Sequence, residues 1–257
     1  MYWDSLVYHY KLHRIHRCED PVLQEKLNAL RHGIPDEGML KKLCRNHKAW
    51  ESPGEPTDAE VRRLFREKAP NTTVVTCTKK GARAIGEQAV QAIHGRQQKL
   101  AELPGDYEVN PDNYDNKGKL IKEMPEPSTV PIYRGMRLHL TRNMAKARDF
   151  VNGMEATVRA FHATSGCLTV RTATGKLLAM YPYTDRETRA TFYPVRIGYA
   201  GIIYKIQGHT LDHVTVWLDR EGSRAAGYVA LSRVRKDRDY LLGGDMQPQH
   251  VVPANYT

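Results

Sequence analysis

Thr72-Thr-Val-Val-Thr-Cys77 is a run of β-branched residues, bounded by Asn71 before it and by Lys79-Lys80-Gly81 after it. Valine and threonine are stiff at χ1 and fit a pleated, buried surface, so the run predicts a buried strand and Lys79-Lys80-Gly81 a turn. From Ala82 the period changes. Ala82, Ile85, Ala89 and Ile93 recur along one side of a helix. A strand, a loop and a helix in succession form the building block of a parallel sheet. The expected fold class is therefore α/β.

The last third carries the same signals. Val195 to Ile203 is apolar enough for a strand, or a strand and a short helix. His213-Val-Thr-Val-Trp-Leu218 reads as a strand, Ser223 to Val234 as a helix, and Tyr240-Leu-Leu242 as a closing strand. Near the start, Asp20-Pro21 has the form of a helix N-cap and first turn. Leu23, Leu27 and Leu30 follow at helical spacing, and Gly33 sits where a C′ glycine belongs. Thr57-Asp-Ala-Glu60 has the form of a capping box, with Val61, Leu64 and Phe65 as the apolar stripe behind it. Arg62, Arg63, Arg66 and Lys68 cover the rest of that helix and read as a solvated face.

Between these parts the pattern differs. Residues 104–131 are rich in turn formers and read as a long surface loop or insertion. Residues 132–192 hold short apolar runs separated by Asn152-Gly153, Ser165-Gly166 and Thr174-Gly175. Short strands with glycine turns predict a small β-barrel or meander. The expected organisation is one α/β domain, 1–130 with 193–257, carrying a small β-barrel insertion, 131–192.

The chain has 257 residues and a formal net charge of +10, which favours an anionic partner, nucleic acid foremost. No apolar run approaches the roughly 20 residues of a membrane span. Met1-Tyr-Trp-Asp-Ser does not begin a secretory signal, and the scattered Cys18, Cys44, Cys77 and Cys167 read as reduced thiols of an intracellular protein. His9, His13, His16 and Cys18 fit no common zinc spacing, so no metal site is expected.

No G-x-x-x-x-G-K-[ST] phosphate loop occurs; Gly175-Lys176 and Gly118-Lys119 lack its other members. Val216-Trp-Leu-Asp219 has the form of a magnesium-binding carboxylate strand. Without a phosphate loop, a strand ending in a turn is the favoured reading. Two segments carry other chemistry. Gly227-Tyr-Val-Ala-Leu-Ser-Arg-Val-Arg235 sets Arg233 on a helix, with Tyr228, Val229 and Leu231 to fix it. Arg17, just ahead of the first helix, is a second candidate that would be unremarkable alone, since Arg14 and His16 lie beside it. An arginine aimed at a γ-phosphate is worth about 10³ to 10⁵ in rate in related phosphoryl transfers. The bland alternative for Arg233 is a helix-end arginine that satisfies carbonyls. Lys205-Ile-Gln-Gly-His-Thr210 offers a cation, the Gln207 amide, a flexible backbone at Gly208 and the Thr210 hydroxyl, groups that suit sugar-phosphate contacts. Thr76, Thr78 and Lys79 offer similar chemistry where the first strand ends.

These segments, in this order, resemble the C-terminal half of a superfamily 1B DNA helicase of the PIF/RecD type. Arg17 resembles the arginine of motif IV. Thr72 to Gln88 resembles a strand and helix with a Thr-x-Thr DNA contact. Arg134-Gly-Met-Arg-Leu-His-Leu-Thr-Arg-Asn143 and Phe150-Val-Asn-Gly153 resemble the entry to the inserted barrel. Tyr193-Pro-Val-Arg-Ile-Gly-Tyr-Ala200 leads into motif V, and Tyr228-Val-Ala-Leu-Ser-Arg-Val234 resembles motif VI. The departures are specific. Tyr204-Lys-Ile-Gln-Gly208 stands where the family has His-Lys-Ser-Gln-Gly, and Cys18 stands where a Gln follows the motif IV arginine.

The resemblance implies a second RecA-like motor domain whose first motor domain lies outside these residues. It implies ATP-driven 5′ to 3′ translocation on single-stranded DNA with duplex unwinding. Arg233 and Arg17, with Gly208, would face the nucleotide. Thr76, Thr78, Lys79, Lys205, Gln207 and Thr210 would face DNA. ATP and Mg would be held only together with the first motor domain, in the same or another chain, and by this chain alone not at all. Two alternatives are a nucleic-acid-binding remnant without ATPase activity and an inert basic domain.

Overall fold

The computed structural model describes residues 18–106, 128–186 and 189–253. Arg17 lies outside them. Helix α1 spans Pro21–His32; the Asp20 carboxylate accepts from the amides of Val22 and Leu23, as an N-cap should. Gly33 ends the helix in extended backbone, at φ −167°, not in the left-handed cap its position suggested. Helix α2, Glu37–Cys44, is capped by Asp36 and carried no clear periodic signal. Helix α3, Asp58–Arg63, has the full Thr57/Glu60 capping box and widens into a π-turn over Leu64–Lys68.

Strand β1, Thr73–Thr76, is buried along its whole length. Helix α4 runs Lys79–His94. It starts before its apolar repeat does, because the Thr78 hydroxyl accepts from the Gly81 amide and caps it. Lys79-Lys80-Gly81 is thus the first helical turn and not a separate loop. Strands β2, Ala101–Pro104, and β3, Thr129–Ile132, pair antiparallel, so both ends of the expected 104–131 loop are strand.

Next come β4, Arg137–Leu140; β5, Glu155–His162; β6, Cys167–Thr172; and β7, Leu177–Met180. Then follow β8, Tyr183–Thr184; β9, Thr191–Phe192; β10, Val195–Ile197; and β11, Ala200–Ile202. The chain closes with β12, Val214–Trp217; α5, Ala226–Leu231; and β13, Tyr240–Leu242. The helix expected over 223–234 is therefore shorter, and Arg233 lies in the turn beyond its end.

The parallel sheet has the order β11-β1-β12-β13. Successive side chains of a strand point to opposite faces. Val74 accordingly joins a core with Ile85 and Ala89 of α4. Val75 joins the other core, with Leu23, Leu27 and Leu30 of α1 and Ala230 and Leu231 of α5. The edge at β13 is extended by residues 47–49: Leu242 N donates to His47 O at 2.6 Å, and Ala49 N donates to Leu242 O at 2.8 Å. Trp50 then folds over Gly243, where a Cβ would lie 2.1 Å from the indole, so this close approach requires glycine.

The second sheet is antiparallel, in the order β10-β4-β5-β6-β7. Leu138, Leu140, Ala156, Val158, Leu168, Val170, Leu178 and Met180 alternate onto one buried face. The turns hold Gly153, Gly166 and Gly175 at positive φ, as their sequence signals required. Among the described residues, β10 and β7 do not pair with each other, so the strands form a meander with β10 added on its first edge.

Tyr199 joins the two sheets. Its hydroxyl lies 2.7 Å from His94 Nε2 and accepts from Arg137 N at 3.2 Å. The Arg137 guanidinium sits 4.6 Å over the Tyr199 ring and donates to Thr72 O at 2.7 Å. Burial holds the His94 imidazole below its ordinary value, and the Arg66 charge adds to this. The fold therefore favours neutral His94. Its contribution is complete above the unfolded-state value, about 6.5, and is lost as pH falls below it. The denaturation midpoint should drop between pH 7.5 and 5.5, with His139 and His213 shifted in the same direction. His94→Gln should flatten that dependence; an unchanged slope in the variant would clear His94 as a source.

Candidate nucleic-acid interface and phosphate-facing arginine

The carboxyl ends of β1 and β12 are tied by one side chain. Asp219 Oδ1 accepts from Cys77 N at 2.7 Å and Thr78 N at 3.0 Å, and its Oδ2 is bonded to the Thr78 hydroxyl. A Cβ on Gly81 would come within 2.2 Å of Oδ2, so glycine leaves room for this carboxylate. Asp219 thus clamps the β1–α4 loop, a role that neither the magnesium reading nor the bare strand-end reading described.

Thr76 is fully buried, and its hydroxyl donates to Thr78 O at 2.8 Å. The expected surface contact at Thr76 is therefore corrected: its hydroxyl faces inward and supports the loop. Thr78 is partly exposed with its hydroxyl shared between Asp219 and the Gly81 amide, whereas Lys79 is exposed on the first turn of α4.

After β11 the chain makes a 3-10 turn over Ile203–Ile206. Such a turn repeats every three residues. Ile203 and Ile206 are accordingly buried together, and Tyr204 and Lys205 face solvent. Gln207, Gly208, His209 and Thr210 follow, all exposed. Gly208 has φ +85°, a conformation that its lack of a Cβ permits. Leu211 N then donates to Arg233 O at 2.9 Å, which sets this turn against the end of α5.

The Arg233 side chain donates from Nε to Val229 O at 2.9 Å and from Nη2 to Ser232 Oγ at 2.7 Å. It is half-buried and fixed to its own helix end. The structure thus sets the turn that holds Lys205, Gln207, Gly208 and Thr210 against the helix end that holds Arg233. Thr76, Thr78 and Lys79 lie at the carboxyl end of β1.

The segment that follows Arg17 is anchored to Asp237, beyond Arg233 in the chain. Asp20 Oδ2 accepts from Asp237 N at 2.9 Å. Beneath that bond Lys26, buried, donates to Asp237 at 2.7 Å and to the Tyr240 hydroxyl at 2.8 Å, and lies 3.3 Å from His47. His47 stacks on Tyr240 with ring centroids 3.9 Å apart. Burial pushes the Tyr240 phenol well above its ordinary range. A signal for this cluster was present, since Lys26 falls inside the Leu23, Leu27, Leu30 stripe. Its partners at 47, 237 and 240 are too distant in sequence to be paired with it.

Removing one partner of a part-buried hydrogen-bonded carboxylate costs about 1–3 kcal/mol. Asp219→Ala should therefore lower unfolding free energy by about that amount and speed amide exchange at Cys77 and Thr78. Unchanged exchange at those two amides would refute the clamp.

No protein-family model matches the chain. It is 29% identical to human ATP-dependent DNA helicase PIF1 over 150 residues, which are 54% of this chain and 23% of that protein. It is 24% identical to the Xenopus laevis PIF1 over 261 residues, 94% of this chain and 33% of that protein. The chain thus spans a third or less of these relatives. Among solved structures, Bacteroides Pif1 in complex with ADP-AlF3 and ssDNA matches with a TM-score of 0.64 at 19% identity, over 95% of this chain and 54% of that one. Candida albicans Pif1 matches with a TM-score of 0.64 at 15% identity, over 97% of this chain and 60% of that one. In sequence this chain is related to, and in fold it matches, the C-terminal portion of Pif1-type helicases.

Proposed function

We propose that this chain is the second RecA-like motor domain of an ATP-dependent 5′ to 3′ DNA helicase, residues 1–130 with 193–257, carrying a small barrel-like insertion at 131–192. Arg233 and Arg17 stabilise charge on the γ-phosphate, and Gly208 lets the backbone approach it. Lys205, Gln207 and Thr210 hold the DNA backbone, joined at the carboxyl end of β1 by Thr78 and Lys79, with Thr76 as their buried support. ATP and Mg are held only together with a first motor domain, and single-stranded DNA is the other partner.

The observation that carries this reading is the bond from Leu211 N to Arg233 O. It joins the candidate strand-binding turn to the candidate phosphate-facing arginine, so movement of one is movement of the other. A lobe closing on a nucleotide needs that linkage if hydrolysis is to shift its grip on a strand. Solved Bacteroides Pif1 with ADP-AlF3 and ssDNA supports the same assignment of ligands. The Arg233 contacts to Val229 O and Ser232 Oγ hold the guanidinium at its helix end, and it turns to phosphate only when the first motor domain supplies one.

Fluorescence anisotropy against an oligo-dT strand tests the binding half. Affinity should fall steeply with salt, since each neutralised phosphate contributes about 0.7 to the logarithmic slope on single strands. Lys205→Ala should weaken binding and reduce that slope by about one such increment. Arg233→Ala should leave binding unchanged. The purified chain should not hydrolyse ATP; turnover abolished by Arg233→Ala would reveal a complete nucleotide site within it. Absence of binding at low salt would leave an inert basic domain.

A further inference from the structure

Tyr204 is 72% exposed, an unusual position for a large aromatic side chain. The 3-10 turn explains why it points outward. Ile203 and Ile206 anchor the turn to the core one period apart, which leaves residues 204 and 205 on the opposite side. The ring therefore stands on a fixed backbone, beside Lys205 and a few residues before His209.

The ground around it is cationic. His139 on β4 lies directly opposite Arg196 on β10. The His209 ring packs against Gly153, at 3.5 Å from where a Cβ there would sit, at the end of the β4–β5 connection. Burial, then the charges of Arg137, Arg196, His209 and Lys205, press the His139 imidazole down to about 4. Glu155, opposite His139 on β5, is the nearby acid. The turn and the edge of the antiparallel sheet thus share one positive field with an aromatic face at its margin.

The geometry points to Tyr204 as a base-stacking platform: its ring takes the face of one nucleobase of a single strand, while Lys205 and His209 lie along the adjoining phosphates. This rests on the strand-binding reading above and adds to it a contact with bases. Stacking on an aromatic face is sequence-tolerant, because every base has a π-face. The assignment also gives a role to a residue at which this chain departs from the His-Lys-Ser-Gln-Gly pattern.

The test compares an oligo-dT strand with an abasic strand of the same length and backbone charge, by anisotropy, using the whole chain. Tyr204→Ala should bind oligo-dT about 5- to 100-fold more weakly and bind the abasic strand as the unsubstituted chain does. Tyr204→Phe should keep the affinity for oligo-dT. Lys205→Ala should weaken both strands alike. Equal losses on the two strands with Tyr204→Ala, or no loss on either, would overturn the stacking role and leave strand binding intact. If the unsubstituted chain binds neither strand, the strand-binding reading fails and this inference with it. Because the ring is exposed, an unchanged circular dichroism spectrum is expected for each variant, and it separates lost contacts from lost fold.

Discussion

The Asp219 carboxylate holds the carboxyl ends of the two central strands together. β1 and β12 pair in parallel up to Thr76 and Trp217. Beyond that register the backbone would separate and leave amides without partners inside a partly buried loop. Asp219 takes the amides of Cys77 and Thr78 and the Thr78 hydroxyl, and Thr78 in turn caps α4. Hydrogen bonds to carboxylates are stronger than neutral ones. One side chain therefore fixes a strand end, a loop and a helix start. Lys79 and the inward-facing Thr76 hydroxyl take their places from it. Gly81 is required by the same bond, since any side chain there would displace the carboxylate.

The start of α1 meets the segment that follows α5, near the last parallel strand, in a second polar arrangement. Asp237 accepts from Lys26 through its side chain, and its backbone amide donates to Asp20, the N-cap of α1. Breaking a buried charge pair leaves the remaining charge without compensation, which is costly. The start of α1 is therefore tied to the segment that follows α5. Arg233 itself is restrained by Val229 O and Ser232 Oγ, which fix its guanidinium at the helix end.

The antiparallel sheet meets the parallel one through Tyr199, Arg137 and Gly198. A Cβ at Gly198 would lie 2.8 Å from the Leu138 backbone, so the strands approach closely there. Tyr199 is a buried hydroxyl with two partners, and Arg137 covers its ring. This joint carries β4 and β10 to the side of the 203–210 turn. Cations of β4, β10 and the turn accordingly act on the same imidazole, His139.

Periodicity alone determined much of this protein. The Thr72–Cys77 strand, the Asp20 and Thr57 helix starts, and the glycine turns at 153, 166 and 175 each depend on local backbone preference, and local preference is written in adjacent residues. The Arg233 segment and the Lys205–Thr210 turn were legible for a similar reason, as short motifs with side chains at fixed offsets. Tertiary structure decided what those side chains do. Thr76 faces inward, Arg233 sits beyond its helix, Asp219 clamps a loop, and Lys26 binds partners at 47, 237 and 240. Each outcome depends on residues far apart in the chain that packing brings within hydrogen-bond reach, and no local pattern encodes such a distance. Tyr204 lies between the two cases: its neighbours at 203 and 206 gave the turn its period, but only the packed core determined which side of the turn would be left in solvent.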